Sequence, residues 1–129
     1  MRLTVTQSAA NVVRSYRDGV LTIGEQRHDR ALIVTAEYLD TTLAAQHPFQ
    51  LQESDLAVVF ARSPEVVIIG WAGGQLFMPA AQRRWFLERS IGLEVMELGA
   101  ACRTYNVLVQ DERKVAALLF PLRDEPLTR

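Results

Sequence analysis

Apolar residues recur in short runs through the first part of the chain, which is a pattern typical of β-strands. Val12 to Tyr16 and Val20 to Ile23 flank Asp18-Gly19, a dipeptide that favours the tight turn of a β-hairpin. Ala31 to Ala36 is a third such run, and Glu37 to Leu43 either extends it or forms a short separate strand. We therefore predict antiparallel strands in the N-terminal part of the chain.

The middle of the chain combines a short helix with a buried strand. Ser54 is positioned to cap a helix over Asp55 to Arg62, which Ser63-Pro64 would end. Val66 to Ile69 is fully apolar and β-branched, which predicts a strand covered on both faces of a sheet. Gly70 to Gly74 is predicted to be a loop after this strand.

Helices and strands alternate in the remainder of the chain. Pro79 suits the start of a helix that runs to about Ser90, and a strand over Leu93 to Glu97 follows. Ala100 to Val109 is predicted to be helical, and Val115 to Phe120 is predicted to be the last strand. The order indicates an α/β fold with a mixed sheet, in which antiparallel N-terminal strands precede a β-α-β-α-β half.

Composition narrows the class of protein without identifying a reaction. The chain has 129 residues, which suits a single domain over residues 1–129, and its formal net charge is −1. A near-neutral charge argues against a dedicated nucleic-acid binder and against a polybasic membrane anchor. Met1 to Gln7 lacks the apolar core of a signal peptide, and no run approaches the ~20 apolar residues of a membrane helix. We therefore expect a cytoplasmic protein without membrane insertion.

Several segments resemble a known family. Gly92 to Met96, Ala100 to Leu108 and Arg113 to Leu119 are similar to the Mth938-like family, also called DUF498, as are Val67 to Gly70 and the loop that follows. The ungapped run around Arg103, Tyr105 and Asn106 is fairly specific to the family. The last half of the chain is covered well, whereas the first half matches in strand order and in the Asp18-Gly19 turn.

The resemblance implies a small α/β domain with a mixed sheet and helices packed mainly on one side. It implies little about chemistry, because most bacterial members have no assigned activity. Eukaryotic relatives include a mitochondrial assembly factor for respiratory complex I, which acts through protein partners, and a protein linked to adipogenesis. Members often carry Gly-Thr-Gly after the central strand, whereas this chain has Gly70-Trp71-Ala72-Gly73-Gly74.

One candidate site is a small-anion site at this glycine segment. Backbone N–H groups of Gly70, Gly73 and Gly74 could hold a phosphate or carboxylate beyond the carboxyl end of a strand. Arg103 and Asn106, on the polar face of their helix, could clamp the same anion. The structural alternative is a tight glycine turn, with Arg103 paired to Glu94 or Glu97 and Asn106 bound to a neighbouring loop.

Cys102 is the single cysteine, so an intramolecular disulfide is impossible. Its place in the first turn of a helix would stabilise a thiolate and make it a candidate reactive thiol. The alternative is a core residue, because Cys102 shares an apolar helix face with Leu98, Ala101, Tyr105 and Val109.

The residues favour a binding protein more than an enzyme. No catalytic constellation is apparent, and one cysteine with two histidines makes a zinc site improbable, so neither a metal nor a cofactor is expected. Our first hypothesis is a non-catalytic protein-binding or assembly-type domain that meets a protein partner or a second copy of itself. Trp71, Phe77 and Met78 are the candidate interface residues. Binding of a small anionic metabolite is the alternative function.

Overall fold

The first three strands form a small antiparallel sheet. In the computed structural model, which describes residues 10–122, they are β1 (Val13–Arg17), β2 (Val20–Ile23) and β3 (Gln26–His28). The predicted turn is present, with φ of 54° at Asp18 and 78° at Gly19. The segment on which the signal-peptide expectation depends lies outside the described residues. β3 falls in a polar stretch to which we assigned no strand.

The other five strands form a mixed sheet in the order β5-β4-β8-β6-β7. They are β4 (Leu32–Thr35), β5 (Tyr38–Asp40), β6 (Val66–Trp71), β7 (Gly92–Glu97) and β8 (Val115–Phe120). β8 lies at the centre, antiparallel to β4 and parallel to β6, and all of its residues are buried. β7 pairs in parallel with β6 and forms one edge of this sheet.

Among the described residues, three α-helices connect the strands of the second half. They are α1 (Ala57–Phe60), α2 (Ala80–Leu87) and α3 (Leu98–Gln110), and short 3-10 turns at Pro48–Gln50 and Glu53–Leu56 precede them. The expected cap at Ser54 is wrong. Ser54 lies inside the second 3-10 turn, and the side chain of Asp55 instead accepts a hydrogen bond from the N–H of Gln52 at 2.8 Å.

Side chains alternate between two cores on the opposite faces of the five-stranded sheet. Ile68, Ala117 and Leu119 face a core shared with α3 and the three-stranded sheet. Val67, Ile69 and Leu118 face a second core that α1, α2 and the segment around Leu51 cover.

The α/β class, the mixed sheet and the β-α-β-α-β order are therefore confirmed. The expected distribution of the helices needs correction, because α3 lies on one face while α1 and α2 lie on the other. The three-stranded sheet occupies the space beside α3. Within residues 10–122, no helix has both the length and the apolar character needed to cross a membrane.

Candidate functional site

Gly70 lies inside β6, one residue before its end, and it faces α3. A Cβ atom at this position would lie 2.5 Å from Ala101 Cβ and 3.0 Å from Leu98 Cδ1. The missing side chain therefore lets α3 pack directly on the sheet. This is a packing role, and it places the backbone of Gly70 under a helix instead of in a loop that could hold an anion.

Trp71 lies in the core, where the sequence suggested an exposed partner contact. Its side chain is 4% exposed, and its ring centroid lies 4.5 Å from that of His47. Gly73 packs on the same indole, since a Cβ atom there would overlap the Trp71 ring. Gly74 has a φ of 115°, a conformation that favours glycine. The segment is thus a turn folded over Trp71, and the assignment of Trp71 to an interface is corrected.

Asn106 ties α3 to β1. Its Nδ2 donates to the carbonyl of Val13 at 2.8 Å, and its Oδ1 accepts from the N–H of Val13 at 2.9 Å. Tyr105 adds a third link, because its hydroxyl donates to the carbonyl of Asn11 at 2.8 Å. The amide that we considered as an anion clamp is therefore occupied by the backbone, which agrees with the alternative that it binds a neighbouring segment.

The partial positive charge at the N-terminus of α3 is already neutralised by a carboxylate of the same chain. The carboxylate of Glu97 accepts hydrogen bonds from the N–H groups of Gly99 at 2.9 Å and Ala100 at 3.0 Å. These bonds lower the pKa of Glu97, and the charge of nearby Arg103 lowers it further. A carboxylate in this place would repel a second anion.

The residues of the proposed anion site do not converge. Arg103 is exposed on α3, on one face of the sheet, whereas Gly73 packs against Trp71 on the other. Within the described part of the chain, histidine, cysteine and carboxylate side chains also form no group suited to a metal ion.

Cys102 occupies the core beside Leu98 and Tyr105. Its side chain is 5% exposed. Burial raises the pKa of Cys102 to about 12, and the negative charge of Glu97 acts in the same direction, while Arg103 opposes both more weakly. Desolvation thus outweighs the charge of Arg103, and the position favours a core residue over a reactive thiol.

Phe77 is the one member of the expected interface that lies at the surface. It is 80% exposed, whereas its neighbour Met78 is 4% exposed and belongs to the core, which corrects the assignment of Met78. Phe77 borders a groove of about 780 Å³ between α2 and β7. Ala80, Arg84 and Leu87 line one wall, while Leu93 and Val95 line the other. We call this surface the α2–β7 groove.

The α2–β7 groove is apolar with a positive rim. Leu87 is 77% exposed, and the charged residues that line the groove are Arg83 and Arg84. The sequence analysis did not identify Leu87 as an exposed residue of this groove. Phe86 and Leu87 are adjacent in a helix, where successive side chains point about 100° apart, so burial of one leaves the other facing solvent.

A second cavity of about 350 Å³ lies near the start of β8, beside the end of β4 and the last turn of α3. Three cations and two carboxylates line it, and two of the cations have partners. Arg113 binds Glu65 at 2.9 Å, and the guanidinium of Arg62 lies 4.2 Å from the ring centroid of Tyr38. This mixture of charges and existing contacts does not select one kind of ligand.

A family model described as a protein of unknown function, DUF498/DUF598, matches residues 13–120. The chain belongs to the DUF498 family. A relative from Francisella tularensis, named as a 13 kDa major membrane protein, is 30% identical over 103 residues, which cover 78% of this chain and 81% of the relative.

Solved structures agree with this assignment to DUF498. A Bordetella pertussis protein described as an Mth938-like domain superposes with a TM-score of 0.78 at 26% identity, covering 98% of this chain and 96% of its own. An outer membrane protein from Bartonella henselae gives 0.75 at 27% identity, covering 90% of this chain and 98% of its own. The resemblance seen in the sequence is therefore confirmed, and the family description names no activity.

Proposed function

We propose that this chain is a non-catalytic protein-binding domain that meets its partner through the α2–β7 groove. The observation that carries the proposal is the high exposure of Phe77 and Leu87, two large apolar side chains bordering one groove. Aromatic and aliphatic side chains grouped with arginine are typical of the centre of protein interfaces, and grouped apolar exposure is uncommon elsewhere on a soluble domain.

Polar residues in structural roles support binding over catalysis. Asn106 bonds to β1, Glu97 caps α3, and Cys102 is buried with a raised pKa. An active site needs a nucleophile or base that can reach a substrate, and each of these groups is already engaged in the fold or buried within it. The metabolite alternative loses its main support, because Gly73 and Arg103 lie on opposite faces of the sheet and the amide of Asn106 is bonded to β1.

The names of two relatives raise the question of location. The Francisella tularensis relative and the Bartonella henselae protein are both named as membrane proteins. A domain that docks on a membrane-resident partner through the α2–β7 groove would be consistent with such names. The cytoplasmic location expected from the sequence remains a prediction.

Site-specific photo-crosslinking tests the proposal in the native host. A photoreactive amino acid replaces Phe77 in one variant and Val107 in the control, since Val107 is an exposed apolar residue on α3. We expect a discrete covalent adduct with another protein, identifiable by mass spectrometry, from position 77 and none from position 107. The additional change Leu87→Asp should abolish the adduct.

Two results would reject this assignment. The first is the absence of any adduct from position 77 under conditions in which the protein is folded and abundant. The second is an equal set of adducts from both positions, which would reflect chance collision and not docking in the groove.

A further inference from the structure

β7 offers unpaired backbone groups to a partner. The N–H of Gly92 donates to Glu65, so the polar backbone groups of Gly92, Glu94 and Met96 point towards β6. Because these groups alternate sides along a strand, those of Leu93 and Val95 point outward. In the described part of the chain no strand pairs with this side of β7. Natural proteins usually cover the edge strand of a sheet or place residues there that disfavour pairing. An uncovered edge strand can therefore pair with a further strand.

The α2–β7 groove lies beside this edge on one face of the sheet. Leu93 and Val95 supply both the outward backbone groups and the apolar wall of the groove. A strand added to β7 would place every second side chain over this groove. Arg83 and Arg84 on the opposite wall favour carboxylates among those side chains, while Leu87 favours apolar ones.

The other face of β7 has the opposite charge. Glu94 and Met96 alternate with Leu93 and Val95, so they lie on the α3 side of the sheet, where Met96 packs against the core and Glu94 is exposed. The remaining side chains of an added strand would therefore approach Glu94, which favours lysine or arginine at those positions. The two faces together define a pattern with a period of two residues.

We propose that the occupant of this surface is an extended segment of a partner protein, which adds to β7 as a further strand. Its side chains alternate between apolar or acidic residues over the α2–β7 groove and basic residues over Glu94. The backbone bonds to Leu93 and Val95 supply affinity, and the charge pattern supplies specificity. This inference rests on the proposed function and adds the chemical nature of the partner.

Fluorescence anisotropy with a designed peptide tests the inference. The probe has about eight residues, enough to span an average strand. It has an odd number of residues, begins and ends with Lys, and alternates Lys with Ile, Val or Glu in a symmetric order, so it reads the same in both directions and samples both strand orientations. We expect a dissociation constant of roughly 1–100 μM, weakened at least about tenfold when the amides that face β7 are N-methylated. A peptide with Lys and Glu exchanged should bind at least about tenfold more weakly.

Protein variants locate the probe on the surface. Arg84→Glu should weaken binding of the original peptide and improve binding of the charge-exchanged one. Val95→Pro removes an outward N–H and should abolish binding, and a melting curve checks that this variant is folded. Arg17→Glu, at an exposed position of β1 in the separate three-stranded sheet, is the matched control and should leave binding unchanged.

The outcomes separate this inference from the proposed function. Equal affinity for the methylated, charge-exchanged and original peptides, or no binding up to about 1 mM, overturns strand addition. In that case a Phe77-dependent adduct in the host would still support a protein-binding domain that uses the groove alone. If the wild-type protein forms a dimer and Val95→Pro does not, the occupant of the β7 edge is a second copy of the chain. If the wild-type protein floats with anionic phospholipid vesicles and Arg84→Glu does not, the occupant of this surface is a membrane.

Discussion

At the scale of single residues, burial decides the chemistry of Cys102. Helix α3 begins at Leu98, so the thiol is on its fifth residue and not in the first turn that the sequence predicted, and burial raises its pKa to about 12. We expect Cys102 in the folded protein to react with iodoacetamide at pH 7 more than about a hundredfold more slowly than in the unfolded chain. Mass spectrometry of the alkylated protein measures both rates. Comparable rates in the two states would restore the reactive-thiol hypothesis.

Glu97 contributes stability that depends on pH. Its pKa is lowered in the fold, so its contribution is present above the unfolded pKa near 4.5 and is lost as the pH falls through the folded value. Glu97→Gln should therefore lower the free energy of unfolding at pH 7 by about 0.5–1 kcal/mol.

Urea titrations of wild type and Glu97→Gln at several pH values measure this difference. The gap between the two proteins should shrink as the pH falls below about 4.5. Glu94→Gln removes a carboxylate of the same strand that does not cap α3. It should therefore lower the free energy of unfolding at pH 7 by less than Glu97→Gln does. A gap for Glu97→Gln that is constant across this range would contradict the capping role.

At the scale of elements, the packing of α3 on β6 depends on Gly70. A Cβ atom 2.5 Å from Ala101 Cβ requires the helix or the strand to move. Gly70→Ala should therefore lower the free energy of unfolding by about 1–3 kcal/mol. Gly92→Ala is the control within the same sheet, because its nearest neighbour would lie at an ordinary 3.6 Å. Urea unfolding measures both, and equal stability of the two variants would show that α3 moves away at little cost.

The three-stranded sheet depends on α3 through Asn106. Asn106→Ala leaves the N–H and carbonyl of Val13 without their side-chain partners, which should cost about 1–3 kcal/mol. Gln110→Ala, on an exposed position of the same helix, should cost much less. Amide hydrogen exchange by mass spectrometry should show faster exchange in β1 and β2 for Asn106→Ala. Unchanged protection there would show that the shared core alone holds the small sheet.

At the scale of the whole molecule, the local pattern of apolar residues predicted helices and strands. Which residues lie at the surface depends on how strands distant in sequence pair with one another. Val66 to Ile69 was correctly identified as a buried strand because both of its faces are apolar. β3 was missed because Gln26–His28 has no apolar alternation and is a strand through its pairing with β2.

The candidate site was predictable only in part for the same reason. Trp71 was placed in a loop because glycines surround it, although it continues the alternation of Val67 and Ile69 on one face of β6. Phe77 was identified from its residue type. The α2–β7 groove was not predictable, because β7 becomes an edge only through the order of the five strands.

The central position of β8 has a consequence for synthesis on the ribosome. β4 and β6 are made early, yet neither can complete its hydrogen bonds until β8 has been translated and has inserted between them. Until then the nascent chain presents two apolar strand edges, which are prone to wrong pairing. A chaperone that holds such edges during translation would therefore affect the yield of this protein more than its final stability.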